Sequence, residues 1–433
     1  MQTTRFTAFA ARTALAFLIL AGCEPDAGAP APEPHAQSAP VLRAASTVTD
    51  ALTPTTAVDP ETGAAYLAFF RKDGDQTNVY LARREPGASA WSEAVRVNSV
   101  PGDASPHAQA PAQVAVGPEG HVYVAWTNAI PIEGRRFPAS NLLFARSTDE
   151  GRTFNEQRAV NSDADARTSS HTFHDITVGR DGVVYVSWLD SRKRDAATAA
   201  AETPVRPAGM GEHSHHAGSS ELPGTELWVA SSRDGGDSFS AGTVVAGGTC
   251  QCCRTSMAVA NDGSVHIVWR HIFGENERDM AIAHSTDGGA TFSAPSRIHA
   301  DHWEIDGCPH AGPSLVIDAQ GQYHVGWYTG EPTRAGIYYA RSENGTTFSE
   351  PQALVTGVGV SQVKLSGNGL PTVLVAWEDK HSQSVRLGYA TPSGVESLEA
   401  GFEAATLPAI SASPNGWIAV AQEGSDVAIV SGE

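Results

Sequence analysis

Lysine is nearly missing from this chain. Lys72, Lys193, Lys364 and Lys380 stand apart, and arginine supplies the rest of 29 basic residues against 48 acidic ones. The formal charge, 29 − 48 = −19, argues against nucleic acid as a partner and against broad contact with anionic lipid. An acidic ligand fits only where positive charge is gathered in one pocket. Several catalytic signatures are missing as well. There is no Gly-x-Ser-x-Gly elbow, no Gly-rich phosphate loop and no His-Glu-x-x-His pair. After the first two dozen residues no apolar run is long enough to span a bilayer.

What is present begins with an export signal. Arg5 and Arg12 precede a short apolar run from Ala14 to Ala21, then Gly22 and Cys23. Leu20-Ala21-Gly22-Cys23 resembles the bacterial lipobox. The resemblance implies a signal peptide over 1–22, cleavage before Cys23, and a lipid on its sulfur that anchors the protein to a membrane of the cell envelope. Residues 23–40, rich in Pro and Ala, read as a tether. From 41 to 433 the texture is β-patterned throughout, which suits a repeat architecture better than one large core.

The repeat is legible. A short apolar strand turns at Gly and runs into a second strand ending in Trp. Val114-Ala115-Val116 leads through Gly120 to Trp126; Ile176-Thr177-Val178 leads through Gly182 to Trp188. Equivalent units end at Trp269, Trp327 and Trp377. An early unit has Phe69-Phe70 in the Trp position, and a late one runs from Ile410 past Gly416 to Val420. Units of about 50 to 60 residues suit four-stranded blades, so the expected fold is all-β, a β-propeller. Seven blades are preferred, with 41–49 supplying the outer strand that the last unit lacks; six blades is the alternative.

A tight turn follows the third strand of several units. Ser147-Thr148-Asp149-Glu150-Gly151-Arg152-Thr153-Phe154 recurs as Ser232 to Phe239 and Ser285 to Phe292. Ser342 to Phe348 is one residue shorter and has Asn344 in place of Asp, and Gly87 to Trp91 is a decayed copy. An Asp side chain can accept backbone N–H bonds across such a turn while Gly takes a left-handed conformation. These residues resemble the Asp box (BNR repeat) of the sialidase-like propeller superfamily. The resemblance implies that the box carboxylates are structural and that function lies on the opposite face, where first strands line a central channel.

Counting back from Val116, Val178, Val259 and Ile317 brings unusual residues into register. Seven back are Gln109, His171, Cys252 and His310; nine back are His107, Ser169, Cys250 and Cys308; five back are Pro111, Phe173, Arg254 and Gly312. His174 and Asp175 share this stretch. Loops after the second strands add Asn128, Asp190, Arg192, Arg270, His271, Tyr328, Glu378 and Asp379. An insert over about 192–225, with Met210, His213, His215 and His216, reads as a flexible His-rich loop.

Cys250, Cys252, Cys253 and Cys308, with His310, His171 and His174, form the candidate metal site. Thiolates and imidazoles suit copper or zinc, and a Cys-x-Cys pair on a strand would place both sulfurs on one side. Disulfides are the competing arrangement in an oxidising compartment, Cys250 with Cys308 among other pairings.

Sialidases hold a substrate carboxylate with three arginines and use a Tyr nucleophile with Glu and Asp partners. The Arg-Ile-Pro tripeptide of that family is not found here. Arg71, Arg254, Arg270, Tyr328, Glu378 and Asp190 are the catalytic candidates if the chain is an exo-acting glycoside hydrolase. The preferred expectation is an envelope-anchored binding propeller with its Cys/His site at the channel mouth, taking a metal, a glycan or another small molecule. A scaffold that docks a protein partner is a further alternative.

Overall fold

The computed structural model describes residues 42–432, apart from 136, 202–223, 275, 368–372, 392–393 and 415. It is a seven-bladed β-propeller of four-stranded antiparallel sheets. Blade one is Leu52–Val58, Ala65–Asp73, Gln76–Arg84 and Val95–Arg96. Blade two is Gln113–Val116, Val122–Thr127, Leu142–Ser147 and Arg158–Ala159. Blade three is His171–Val178, Val184–Asp190, Thr225–Ser232 and Thr243–Thr249. Blade four is Ser256–Val259, Val265–Arg270, Met280–Ser285 and Ser296–Arg297. Blade five is Ser314–Ile317, Tyr323–Thr329, Gly336–Ser342 and Gln352–Thr356. Blade six is Val360–Gly367, Val373–Asp379, Ser384–Thr391 and Gly394–Glu403. Blade seven takes Thr406–Ser413, Gly416–Glu423 and Asp426–Gly432 from the C-terminal side and Leu42–Val48 from the N-terminal side. Thr47 sits opposite Ala428 and Val48 opposite Val427 across that seam. The seven first strands contact one another in a closed inner ring.

The second strands show why the apolar runs are continuous. Val122, Val124 and Trp126 point into a core shared with blade one, while Tyr123 and Ala125 point into a core shared with blade three. A strand with a neighbour on each side buries both of its faces, so alternation disappears. The same division recurs around the ring, and among the described residues one apolar cluster fills each of the seven blade interfaces. Trp126, Trp188, Trp269 and Trp327 are all fully buried there.

The repeated turns lie between third and fourth strands. In the first, Ser147 Oγ donates to Asp149 Oδ1 and accepts from Gly151 N at 2.8 Å. Asp149 also accepts from Thr153 N at 2.8 Å and from Thr153 Oγ1 at 2.6 Å. Burial opposes ionisation of Asp149, but these bonds outweigh it and hold the carboxyl down at about 2. The same bonds hold Asp234 and Asp287 well below the usual carboxylate range. The turns also stitch blades together. Gly236 of blade three, at φ 94°, lies against the Phe144 ring of blade two, and Arg146 of blade two donates to Gly235 O at 2.8 Å.

One expectation is corrected. The insert after blade three's second strand begins as a helix, Arg192–Ala201, rather than a loop. Its alanines favour a helix, and Ser191 Oγ at its start donates to Asp195 Oδ2 at 2.7 Å. Met210, His213, His215 and His216 lie outside the described residues. Among the described residues no helix is long and apolar enough to cross a membrane.

Candidate functional site

Chain direction divides the propeller into two faces. Each first strand runs from the channel mouth toward the Gly turn, the second returns, the third descends to the Ser/Asp turn, and the fourth climbs back. The mouth therefore collects the segments entering first strands and the loops after second strands.

The register found in sequence extends around the whole ring. Five residues before Val58, Val116, Val178, Val259, Ile317, Gly367 and Ala412 stand Thr53, Pro111, Phe173, Arg254, Gly312, Gln362 and Leu407. Four of these, Thr53, Phe173, Gln362 and Leu407, have positive φ and sit where the first-to-second strand pairing slips. Each is a bulge that turns the chain at the channel rim. Two residues deeper are Thr55, Gln113, Asp175, Ser256, Ser314, Lys364 and Ala409.

Arg254 is 3% exposed. Its Nη1 donates to Gln109 Oε1 of the segment entering blade two at 3.2 Å and to Gln362 Oε1 of blade six. Gly312 makes room for it, since a Cβ there would lie 2.3 Å from Arg254 O and 2.8 Å from Arg254 Cγ. Arg254 Nε and Nη2 are buried without a hydrogen-bond partner. Lys364 and Asp175 lie in the deeper ring, and Asp175 Oδ2 accepts from Met257 N at 2.7 Å. Burial lowers Lys364, with the Arg254 charge adding to it, and burial raises Asp175. Burial also draws Arg254 down to about 10, which leaves it charged at neutral pH.

Beside Arg254 the chain makes a tight turn through Cys250, Cys252 and Cys253. Cys250 Sγ is 3.7 Å from Cys252 Sγ and 3.7 Å from Cys253 Sγ, and all three sulfurs lie within 4.8 Å of one another. All three are buried, with Phe173 of the channel rim packed on them. The strand geometry expected for Cys-x-Cys is not what joins them: the segment is a turn, and its curvature brings in the third sulfur as well. The all-disulfide arrangement is not adopted, because Cys250, Cys252, Cys253 and Cys308 are all free thiols and Cys308 is exposed. Contacts from Cys252 and Cys253 pull the Cys250 thiol far down, and the same contact with Cys250 pushes Cys252 far up. Burial pushes Cys253 up to about 12.

The histidines do not join the thiols. His171 Nδ1 lies 2.6 Å from Ser140 O, and its Nε2 is 2.9 Å from Asp163 and 3.4 Å from Asp190. His174 Nε2 is 3.1 Å from Ala125 O, and burial lowers this imidazole to about 4. Both are fixed to the blade two side, where buried imidazoles find backbone and carboxylate partners. His310 is exposed at the mouth, and its backbone carbonyl accepts from Gln362 Nε2 at 2.9 Å. His107 stands near it; burial lowers His107, and the neighbouring His310 lowers it further.

The six catalytic candidates are held by different neighbours, except that Arg270 and Tyr328 meet each other and share Trp303. Arg71 stacks on Phe69 and Tyr80 and reaches the carbonyls of Thr49 and Asp50. Arg270 is buried over Trp303 and donates to the carbonyls of Arg278, Ala311 and Tyr328. Burial raises Tyr328, whose ring meets Trp303 edge-on. Asp190 accepts from Trp188 Nε1 and pairs with Arg192, and Glu378 accepts from Leu407 N at 3.4 Å. Only Arg254 lines the channel cavity.

Lys364, Gln362 and Arg278 were not singled out from sequence. Counting back in blades one, six and seven would have found the first two; Arg278 carries no motif.

The fold defines the class of this molecule as a seven-bladed β-propeller. No protein-family model and no curated protein matches the chain. Solved structures do match. An ulvan lyase of a polysaccharide lyase family, PL25, is 10% identical with a TM-score of 0.53, covering 89% of this chain and 95% of that one. A sialidase described as Hadza microbial is 13% identical with a TM-score of 0.48 over 90% of this chain and 96% of that one. A leech intramolecular trans-sialidase is 10% identical with a TM-score of 0.48 over 83% and 80%. At such identity the lyase likeness speaks for the fold alone, and the two at 0.48 carry no argument.

Proposed function

We propose that this chain is an exported, lipid-anchored propeller of the bacterial envelope that binds a soft metal ion, copper(I) or zinc, on Cys250, Cys252 and Cys253. The observation that carries this reading is the pair of 3.7 Å sulfur separations around Cys250. Three thiolates at about 2.3 Å from one tetrahedral metal stand about 3.8 Å apart. Two of the three sulfur separations match that spacing, which supports the reading. Thiolate donors select copper(I) and zinc over harder ions. Arg278 Nη1, 3.5 Å from Cys250 Sγ, offsets the charge that the deprotonated set would carry. The protein's role is capture and presentation at the mouth.

Metal analysis with thiol counting, on protein purified from an oxidising compartment, tests it. The expected result is about one soft metal per chain, lost in Cys252→Ser. Protein with neither metal nor free thiols ends the reading. Sialidase-type hydrolysis and a purely scaffolding role have weaker support, since Arg71, Arg254 and Arg270 each answer to different partners.

A further inference from the structure

A buried metal site needs a way in. Cys250, Cys252 and Cys253 are 1%, 5% and 2% exposed, and Phe173 packs on them. An ion arriving from water does not meet these sulfurs first. Among the described residues the exposed thiol is Cys308.

Cys308 is displayed beside the buried set. Along 302–310 exposure alternates: His302, Glu304, Asp306, Cys308 and His310 are exposed, while Trp303, Ile305, Gly307 and Pro309 are buried or half-buried. The carbonyls of the inner row are pinned. Trp303 O accepts from Arg278 N at 2.8 Å, Ile305 O from Asn276 Nδ2 at 2.9 Å, and Gly307 O from Arg278 Nη1 at 2.6 Å. The same Nη1 lies 3.5 Å from Cys250 Sγ, so Gly307 O is no farther from that sulfur than these two distances together. Cys308 is the next residue, and a single χ1 step of an exposed side chain re-aims its sulfur.

The three buried sulfurs also discriminate between soft metals. Among the described residues no imidazole or carboxylate joins them. Structural zinc sites take four protein ligands, whereas sulfur donors alone select copper(I).

We infer that Cys308 is the entry ligand for copper(I) delivered as a thiolate complex, taking the ion from its donor at the surface and passing it to Cys250. This rests on the soft-metal reading of the three thiols. In the first exchange a copper–sulfur bond to Cys308 forms as one to the donor breaks, and the Cys308 proton passes to the departing donor sulfur. In the second, Cys250 displaces Cys308, which takes a proton back. The ion remains copper(I) throughout, so neither exchange needs an oxidant or a reductant.

Loading kinetics test the assignment. Metal-free full chain is mixed without oxygen with copper(I) bound to glutathione, and transfer is followed by stopped-flow ultraviolet absorbance. Competition with a copper(I) chelator gives the equilibrium affinity. Cys308→Ser is expected to load at least about tenfold more slowly, because the hand-over from Cys308 to Cys250 is no longer intramolecular. Its stoichiometry stays at one copper per chain, and its affinity stays within about twofold of the native value, since the final ligands are untouched. Cys308→Ala gives the same pair of results, and circular dichroism checks that both variants fold. Loading of folded Cys308→Ser at the native rate overturns the entry role and leaves the soft-metal reading standing. A loss of affinity as large as the loss of rate also overturns it, because Cys308 would then be a permanent ligand. A native chain that takes up no copper(I) ends both readings.

Discussion

Arg278 Nη1 lies 3.5 Å from Cys250 Sγ and 2.6 Å from Gly307 O, so one guanidinium ties the thiol turn to the segment that carries Cys308. A cation at this distance favours the thiolate. Arg278→Gln is expected to raise the apparent thiol pKa of the set. It should also weaken soft-metal binding by about tenfold, the worth of one charge-assisted hydrogen bond. Ultraviolet thiolate absorbance followed against pH, and competition with a chelator, measure the two effects.

The glycines of the repeated turns are blade-to-blade contacts. A Cβ on Gly236 would lie 2.2 Å from the Phe144 ring, at a φ of 94° that side chains rarely adopt. Gly236→Ala is expected to destabilise the fold by about 2–4 kcal/mol, combining overpacking with backbone strain. Gly182→Ala has the same sign of φ but open space around it, so its cost should be about 1–2 kcal/mol. Urea midpoints of the two variants give the comparison.

Falling pH should weaken the propeller through its buried histidines. Burial holds His174 at about 4, and burial together with His284 holds His266 at about 4, against 6.5 for a free imidazole. Both folded values are depressed, so below 6.5 the unfolded chain takes up protons that the folded one refuses. The stability is complete above that pH and is lost as pH falls toward 4. His174→Gln keeps a donor for Ala125 O and removes one titrating group. Urea unfolding from pH 6.5 to 4 should show the slope reduced by about one proton, near 1.4 kcal/mol per pH unit.

Deleting residues 1–49 removes the outer strand of blade seven and leaves Asp426–Gly432 as a bare edge. At about 1 kcal/mol per lost ladder bond, the expected destabilisation is on the order of 3–5 kcal/mol. The exposed edge should also cause self-association. Urea unfolding and size-exclusion chromatography report on each.

The architecture was legible because it is repetitive. Trp126, Trp188, Trp269 and Trp327 recur at the same point of each unit, and a blade that must bury both faces writes itself as a continuous apolar run. The register count also located Arg254 on the channel and set Cys250 and Cys252 beside it. It failed where side-chain partners decide the outcome. His171 falls at the position equivalent to Cys252, yet it turns to Ser140 and two carboxylates, a preference that no spacing encodes. Lys364 was missed because its strand ends Leu365-Ser366-Gly367, without the apolar last residue that set the count elsewhere.

Blade seven joins the two distant parts of the chain: Asp50 N donates to Asp426 Oδ1 across 376 residues of sequence. The ribosome makes the outer strand first and its three partners last. The circle therefore stays open through nearly all of synthesis, and any chain cut short of Asp426–Gly432 never shuts it. Closure therefore depends on both sides of the seam, and a chain lacking either is left with an unpaired strand edge.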